Sequence, residues 1–225
     1  MSVTGIVAAL KVEARTLGHS PPGRLLMISG MGPQAAAHAA AALVAAGAEG
    51  LLSFGLAGAL DPQLGAGAVV LPQSVVGAGG VHAAYGPWRE RLAAQAAAVA
   101  DARGVVGGIL LSVAQPLTTV ESKSQARASS GACAVDMESF AIAEVAARMG
   151  VKFAVARVVI DRATDALPLS VIQATGAYGD VSLPRLVAAL VSAPADLPTL
   201  MRLPQRYRAA LRALRALGQL DLGLP

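Results

Sequence analysis

The stretch AVDMESFAIAEVAARMGVKFAVARVVID, residues 134–161, decides the reading of the fold. It opens on a short apolar run (134–137) and passes into an alanine-rich segment of helical length (138–149). It returns as a second apolar run, 153–160, that ends on Asp161. Short apolar runs of this kind read as buried strands. The same pattern recurs outward from this stretch. Further runs fall at 5–9, 25–29, 51–55, 68–71 and 108–113, and further alanine-rich segments at 33–46 and 87–102. Pro33 and Pro87 stand in the opening turns of these two segments, where the missing N–H costs nothing. Strand–helix alternation predicts a three-layer α/β/α domain with helices on both faces of a largely parallel sheet. The strands around 51–71 follow one another without a helix, which makes the sheet mixed.

At 225 residues the chain suits a single domain with a substantial core. Hydrophobic residues are 55% and charged residues 14%, which excludes a disordered chain. With aromatics at 3%, the core must be built from Ala, Val, Leu and Ile. No uninterrupted apolar run reaches membrane-spanning length. No basic leader precedes the apolar run 5–10, so a cytoplasmic protein is expected. Cys133 stands alone, which excludes an internal disulfide and offers no metal-ligand spacing.

The net charge of +4 is localised. Arg202, Arg206, Arg208, Arg212 and Arg215 face Asp221 alone in residues 200–225, and residues 1–199 are neutral. The basic balance therefore describes a tail, not a nucleic-acid-binding face. Residues 1–199 are expected to form the catalytic domain and 200–225 a basic helix and tail. Within 205–217, Tyr207, Leu211, Leu214 and Leu217 recur at helical spacing, the pattern of a basic amphipathic helix. Such a helix either lies on the protein's own surface or docks on an anionic bilayer. A further helix is expected over 183–191.

Three acids interrupt or end apolar strands: Glu13 just after the first, Glu138 where 134–137 passes into a helix, and Asp161. In an open α/β sheet the carboxyl ends of strands line the ligand crevice. An acid held there among apolar neighbours has a raised pKa and can donate a proton. The structural alternative is that each caps a helix or pairs with Arg157 or Arg162.

These residues belong to an ordered set of motifs. It comprises Gly5-Ile6-Val7-Ala8-Ala9-Leu10-Lys11-Val12-Glu13, Ser29-Gly30-Met31-Gly32, Phe54-Gly55-Leu56-Ala57-Gly58-Ala59-Leu60 and Leu64-Gly65-Ala66-Gly67-Ala68-Val69-Val70. Val135-Asp136-Met137-Glu138 and Arg157-Val158-Val159-Ile160-Asp161 complete it. Across residues 5–165 the set resembles the nucleoside phosphorylase and nucleosidase superfamily, especially the 5′-methylthioadenosine/S-adenosylhomocysteine nucleosidases. Within that superfamily it is most similar to the hopanoid-associated phosphorylases, which act on adenosylhopane in hopanoid side-chain synthesis.

The resemblance implies an enzyme that cleaves the N-glycosidic bond of a 5′-substituted purine nucleoside, with adenosylhopane releasing adenine as the expected reaction. It implies that Asp161 protonates the base at N7, that Glu138 grips the ribose 2′- and 3′-hydroxyls with Met137 packed against the sugar, and that Glu13 positions and deprotonates water. Leu56, Ala57 and Gly58 would face ribose and base, and Pro116 and Leu117 would close over the purine. The backbone of Gly30 and Gly32 would face water or phosphate.

Leu56 stands where the methylthioadenosine enzymes carry serine, and Pro116 where they carry an aromatic ring. Both departures make the pocket more aliphatic. The short segment 77–88 suits a bulky 5′ group, with Tyr85 and Trp88 at its rim. Hydrolysis is expected, because Glu13 repels phosphate unless Lys11, Arg15 or Arg24 compensates. Phosphorolysis, with phosphate as co-substrate, is the alternative, and a non-catalytic nucleoside-binding protein is the other class. No metal or organic cofactor is implied. A homo-oligomer is expected, with peripheral membrane contact through 205–217 as one further expectation.

Overall fold

The computed structural model describes residues 2–18, 22–99, 104–166, 176–179 and 197–225. The helix expected over 183–191 lies outside them. In chain order the elements begin β1 (Thr4–Ala8), α1 (Lys11–Ala14), a 3-10 turn (Arg15–Leu17), β2 (Arg24–Ile28), α2 (Pro33–Ala45) and β3 (Gly50–Ala59). Next come β4 (Val69–Val70), β5 (Ser74–Gly77), β6 (Gly80–Ala83), α3 (Gly86–Val99), β7 (Val105–Val106) and β8 (Ile109–Ser112). The remainder are α4 (Val120–Ser130), β9 (Ala134–Asp136), α5 (Ser139–Met149), β10 (Lys152–Asp161) and α6 (Leu197–Gly218).

The strands form one ten-stranded sheet in the order β6-β5-β8-β9-β3-β10-β4-β7, with β1 beside β3 and β2 beside β1. β3 is its hub. β3 runs parallel to β10 from Gly50 to Gly58 and parallel to β1 only as far as Ser53. The end of β3 therefore outruns β1 and leaves a free edge, which β9 takes in antiparallel register, Gly58 against Val135 and Ala59 against Ala134. Consequently β9 and β10, the two strands of the 134–161 stretch, run in opposite directions. The sheet is mixed, as expected, and at this place too.

Alternation along the central strands builds a core on each face. Val7, Leu51 and Val155 pack with Ala36, Ala39, Ala40 and Leu43 of α2 and with Ile142 and Val145 of α5. Their neighbours Ile6, Leu52 and Ala154 point to the other face. There they meet Trp88 and Leu92 of α3 and Ala210, Leu214 and Leu217 of α6. A smaller cluster, Leu60, Ala132 and Val135, lies near α4.

α6 resolves the choice left open for the tail. Within 205–217 the core takes Ala210, Leu214 at 0% exposure and Leu217 at 1%, while Tyr207 stays exposed. Over 205–217 the buried apolar side faces the sheet, and the membrane contact expected through this stretch is not supported. Among the described residues no helix is long and apolar enough to cross a membrane. α6 also begins at Leu197, ahead of the stretch 205–217, and runs through Pro198 and Pro204.

Trp88 does not sit at a rim. It is fully buried, and its indole N–H donates to the carbonyl of Leu222 at 3.2 Å. Tyr85 lies under the ammonium of Lys152 in a separate groove.

Candidate active site

A cavity of about 210 Å³ opens where β1, β3, β9 and β10 end. Each strand lines it through its last residues or those that follow directly. The first turn after β1 brings Glu13, the end of β3 brings Leu56, Ala57 and Gly58, the end of β9 brings Asp136, Met137 and Glu138, and β10 brings Ile160 and Asp161. Residues separated by as many as 148 positions thus share one wall. A bulge between Val159 and Asp161 sets Asp161 opposite Gly58 on β3.

Glu13 is 2% exposed and held at both oxygens. The N–H of Leu56 donates to Oε1 at 2.8 Å and the N–H of Leu10 to Oε2 at 2.9 Å. Burial raises its pKa, against the opposing pull of Arg157 and these N–H groups. Glu138 occupies the N-cap position of α5, where its side chain makes no capping hydrogen bond. Its Oε1 accepts from the N–H of Gly32 at 2.9 Å, and its Oε2 stands 3.6 Å from Arg157 Nη2. Burial pushes its carboxyl up to about 7, with Asp136 and Glu13 adding repulsion and Arg157 opposing.

Arg157 joins the carboxylates. Its Nη2 lies 2.6 Å from Asp136 Oδ2, donates to Ser53 Oγ at 2.8 Å and to Ser139 Oγ at 3.2 Å, and its Nη1 donates to the carbonyl of Leu56 at 3.2 Å. Gly55 makes this possible. A Cβ there would overlap Glu13 Oε1 and stand 2.8 Å from Arg157 Nη1. The glycine is a requirement of close approach.

Asp161 lies at the opposite end, over Gly58, whose added Cβ would stand 3.3 Å from Asp161 Oδ1. Its Oδ2 is ion-paired to Lys123 of α4, which also lines the cavity and is 1% exposed. Burial raises the Asp161 pKa, and Lys123 lowers it.

Of the residues expected to form the site, Glu13, Leu56, Ala57, Gly58, Pro116, Leu117, Met137, Glu138 and Asp161 line this cavity together. Gly30 and Gly32 do not. Gly32 acts behind the wall through its bond to Glu138, and Gly30 abuts Tyr178 and the carbonyl of Ala177. The structural alternative for the acids also holds in part, since Glu138 pairs with Arg157. Asp161, however, pairs with neither arginine but with Lys123.

Sequence reasoning did not single out Lys123, and it missed α4. That helix is polar and shows no apolar stripe. Its signals were the Thr119…Ser122 capping pair and the left-handed Gly131 at its end. A lysine in a chain whose other bases are almost all arginine was a further sign. The aliphatic wall supplied by Leu10, Val113 and Ile160 was not anticipated either. Lys11, Arg15 and Arg24 do not line the cavity, and Arg24 is bound to Asp221 at 3.7 Å. Among the described residues no group of three or more His, Cys, Asp or Glu is placed to hold a metal ion.

A family model described as the phosphorylase superfamily matches residues 22–191. The comparison with curated proteins finds no match. Solved structures of similar fold include the 5′-methylthioadenosine/S-adenosylhomocysteine nucleosidase of Neisseria meningitidis in complex with methylthio-immucillin-A. It is 18% identical, with 96% of each chain covered and a TM-score of 0.73. They also include the S-adenosylhomocysteine nucleosidase of Streptococcus pyogenes with 5-methylthiotubericidin, 19% identical over 96% of each chain with a TM-score of 0.67. The futalosine hydrolase of Helicobacter pylori is 16% identical over 96% of this chain and 97% of its own, also with a TM-score of 0.67.

Proposed function

The chain belongs to the phosphorylase superfamily, a family of enzymes of N-glycosidic bond cleavage, and on that premise we propose that it hydrolyses a 5′-substituted adenosine to release adenine. The observation that carries this reading is the placement of three buried carboxyl groups, Glu13, Glu138 and Asp161, around one largely aliphatic cavity. Breaking the C1′–N9 bond builds positive charge on the ribose and negative charge on the base. Asp161, with a raised pKa, gives its proton to N7 and relieves the second. Glu138 holds the ribose hydroxyls and stabilises the first. Glu13, fixed by two N–H groups, takes a proton from the water that adds to C1′. Each such proton transfer is worth about a hundredfold or more in rate.

Water is favoured over phosphate by the local charge balance. The cations at the carboxylate cluster, Arg157 and Lys123, are already matched to Asp136, Glu138 and Asp161. Among the described residues that line the cavity, no further cation stands by to compensate a phosphate dianion beside Glu13. The lining side chains Leu10, Leu56, Val113, Pro116, Leu117 and Ile160 favour an apolar 5′ group. A polycyclic substituent exceeds the cavity, so it extends through the mouth, and adenosylhopane is the substrate that fits this reading. A homo-oligomer in the cytoplasm belongs to the same proposal.

The test is free-base release from 5′-methylthioadenosine, S-adenosylhomocysteine and detergent-dispersed adenosylhopane, with and without phosphate. Adenine is expected without phosphate, fastest from the apolar 5′ derivatives. Strict phosphate dependence with a sugar 1-phosphate product would make the enzyme a phosphorylase. No release from any substrate would favour a nucleoside-binding protein.

A further inference from the structure

We propose that Lys123 is a positioning residue for Asp161: it fixes the carboxyl at the cavity wall and supports the charge left there once the proton has passed to the base. This rests on the reading of Asp161 as the acid. The geometry is specific. Lys123 reaches in from α4, a helix on which it is the one buried residue. All three of its N–H directions are used: one on Asp161 Oδ2, one on the carbonyl of Arg162 at 2.9 Å and one on the carbonyl of Asp165 at 2.8 Å. The ammonium is therefore fixed by backbone on one side and presents its remaining proton to Asp161.

Stability alone does not select such a pair. A buried ion pair is seldom better for folding than packed apolar side chains, because both charges must leave water. The arrangement gains its value when the charge on Asp161 changes. The form that reacts is the one with the proton on Asp161, which burial favours and Lys123 opposes. As the C1′–N9 electron pair passes to the purine, N7 takes that proton and Asp161 becomes a carboxylate beside the Lys123 ammonium. Water supplies hydroxide to C1′ and a proton to Glu13. The attraction between Lys123 and Asp161 thus grows along the reaction, which is the condition for it to lower the barrier.

The charged groups facing Asp161 are Lys123 from α4, Asp165 from the segment after β10 and Arg206 from α6. Lys123 and Arg206 favour the carboxylate, and Asp165 and burial favour the protonated form. Removing the ammonium must therefore raise the Asp161 pKa. Activity requires the protonated acid, so its alkaline limb moves to higher pH while its plateau falls.

The experiment measures kcat and KM against pH for the full-length chain, using the fastest substrate of the panel above. Lys123→Met is expected to lower kcat at least tenfold, to change KM less than threefold and to shift the alkaline limb upward by half a pH unit or more. Lys123→Arg is expected to restore the limb and part of kcat. In an Asp161→Asn background, Lys123→Met is expected to cost no further activity, since it acts only through that carboxyl. This neutral pair also guards against a single variant that does not fold. An unmoved limb with unchanged kcat, or full additivity in the double variant, overturns the proposal. Wild-type activity in Asp161→Asn alone instead overturns the assignment of the acid, so the two failures are distinct.

Discussion

Gly55 and Glu138 show how single residues carry the site. A methyl group at position 55 cannot coexist with Glu13 Oε1 and Arg157 Nη1 where they stand. Gly55→Ala is expected to destabilise the fold by about 1–3 kcal/mol through overpacking and to lower base release about a hundredfold by displacing Glu13. Thermal melts and turnover rates check both. Glu138 makes a prediction with a definite sign. Its carboxyl ordinarily titrates at 4.5 and is raised to about 7 in the fold. Between those values the unfolded chain is ionised and the folded chain still holds the proton. Folding stability is therefore fully present below pH 4.5, declines as pH rises toward 7 and is flat above it. Glu138→Gln cannot titrate, so the wild type should lose stability relative to that variant across this window and then run parallel to it. Constant spacing of the two melting curves from pH 4.5 to 7 would refute the raised pKa.

At the scale of elements, α6 both closes the core and braces the acid. Leu214 is fully buried beneath the sheet, and Leu214→Ala is expected to destabilise the protein by about 2–5 kcal/mol through the lost burial and the cavity left behind. Chemical denaturation measures this. Farther up the same helix, Arg206 Nη1 is 2.6 Å from Asp165 Oδ2, and the Asp165 carbonyl accepts from Lys123. The Arg206 side chain is 23% exposed, so the pair contributes about 1 kcal/mol or less. Arg206→Ala should consequently leave the melting temperature nearly unchanged while lowering the rate of base release several-fold. An unchanged rate would show that the segment after β10 holds Lys123 without help from α6.

At the scale of the molecule, the tail is part of the fold. Residues 205–225 contribute Ala210, Leu214, Leu217 and Leu222 to the core beneath β3 and β10. Arg208, Arg212 and Arg215 remain on the outer side. A chain truncated after Pro204 is expected to be unfolded, as read by circular dichroism. The full-length chain is expected to meet anionic vesicles by charge alone, with any sedimentation abolished at about 0.5 M salt, where screening is short-ranged. Vesicle binding that survives such salt would require α6 to expose its buried side.

Local pattern was sufficient for the class of fold. Apolar runs and alanine-rich segments located β1, β2, β3, β4, β8, β9, β10, α2, α3 and α5, because period and turn chemistry are written within a few residues. The acids at strand ends were legible for the same reason, since the end of a run is a local feature. What local pattern could not carry was pairing at a distance. The antiparallel seat of β9 depends on how far β3 outruns β1. The two-residue strand β7 forms only because the edge of β4 accepts it. The partner of Asp161 lies 38 residues away on a helix without an apolar stripe, and the N–H that holds Glu13 lies 43 residues away. Likewise the spacing of Tyr207, Leu211, Leu214 and Leu217 is enough to specify a basic amphipathic helix over 205–217. That its apolar side faces the sheet is a matter of packing at a distance, because an amphipathic stripe specifies burial and not the surface that provides it.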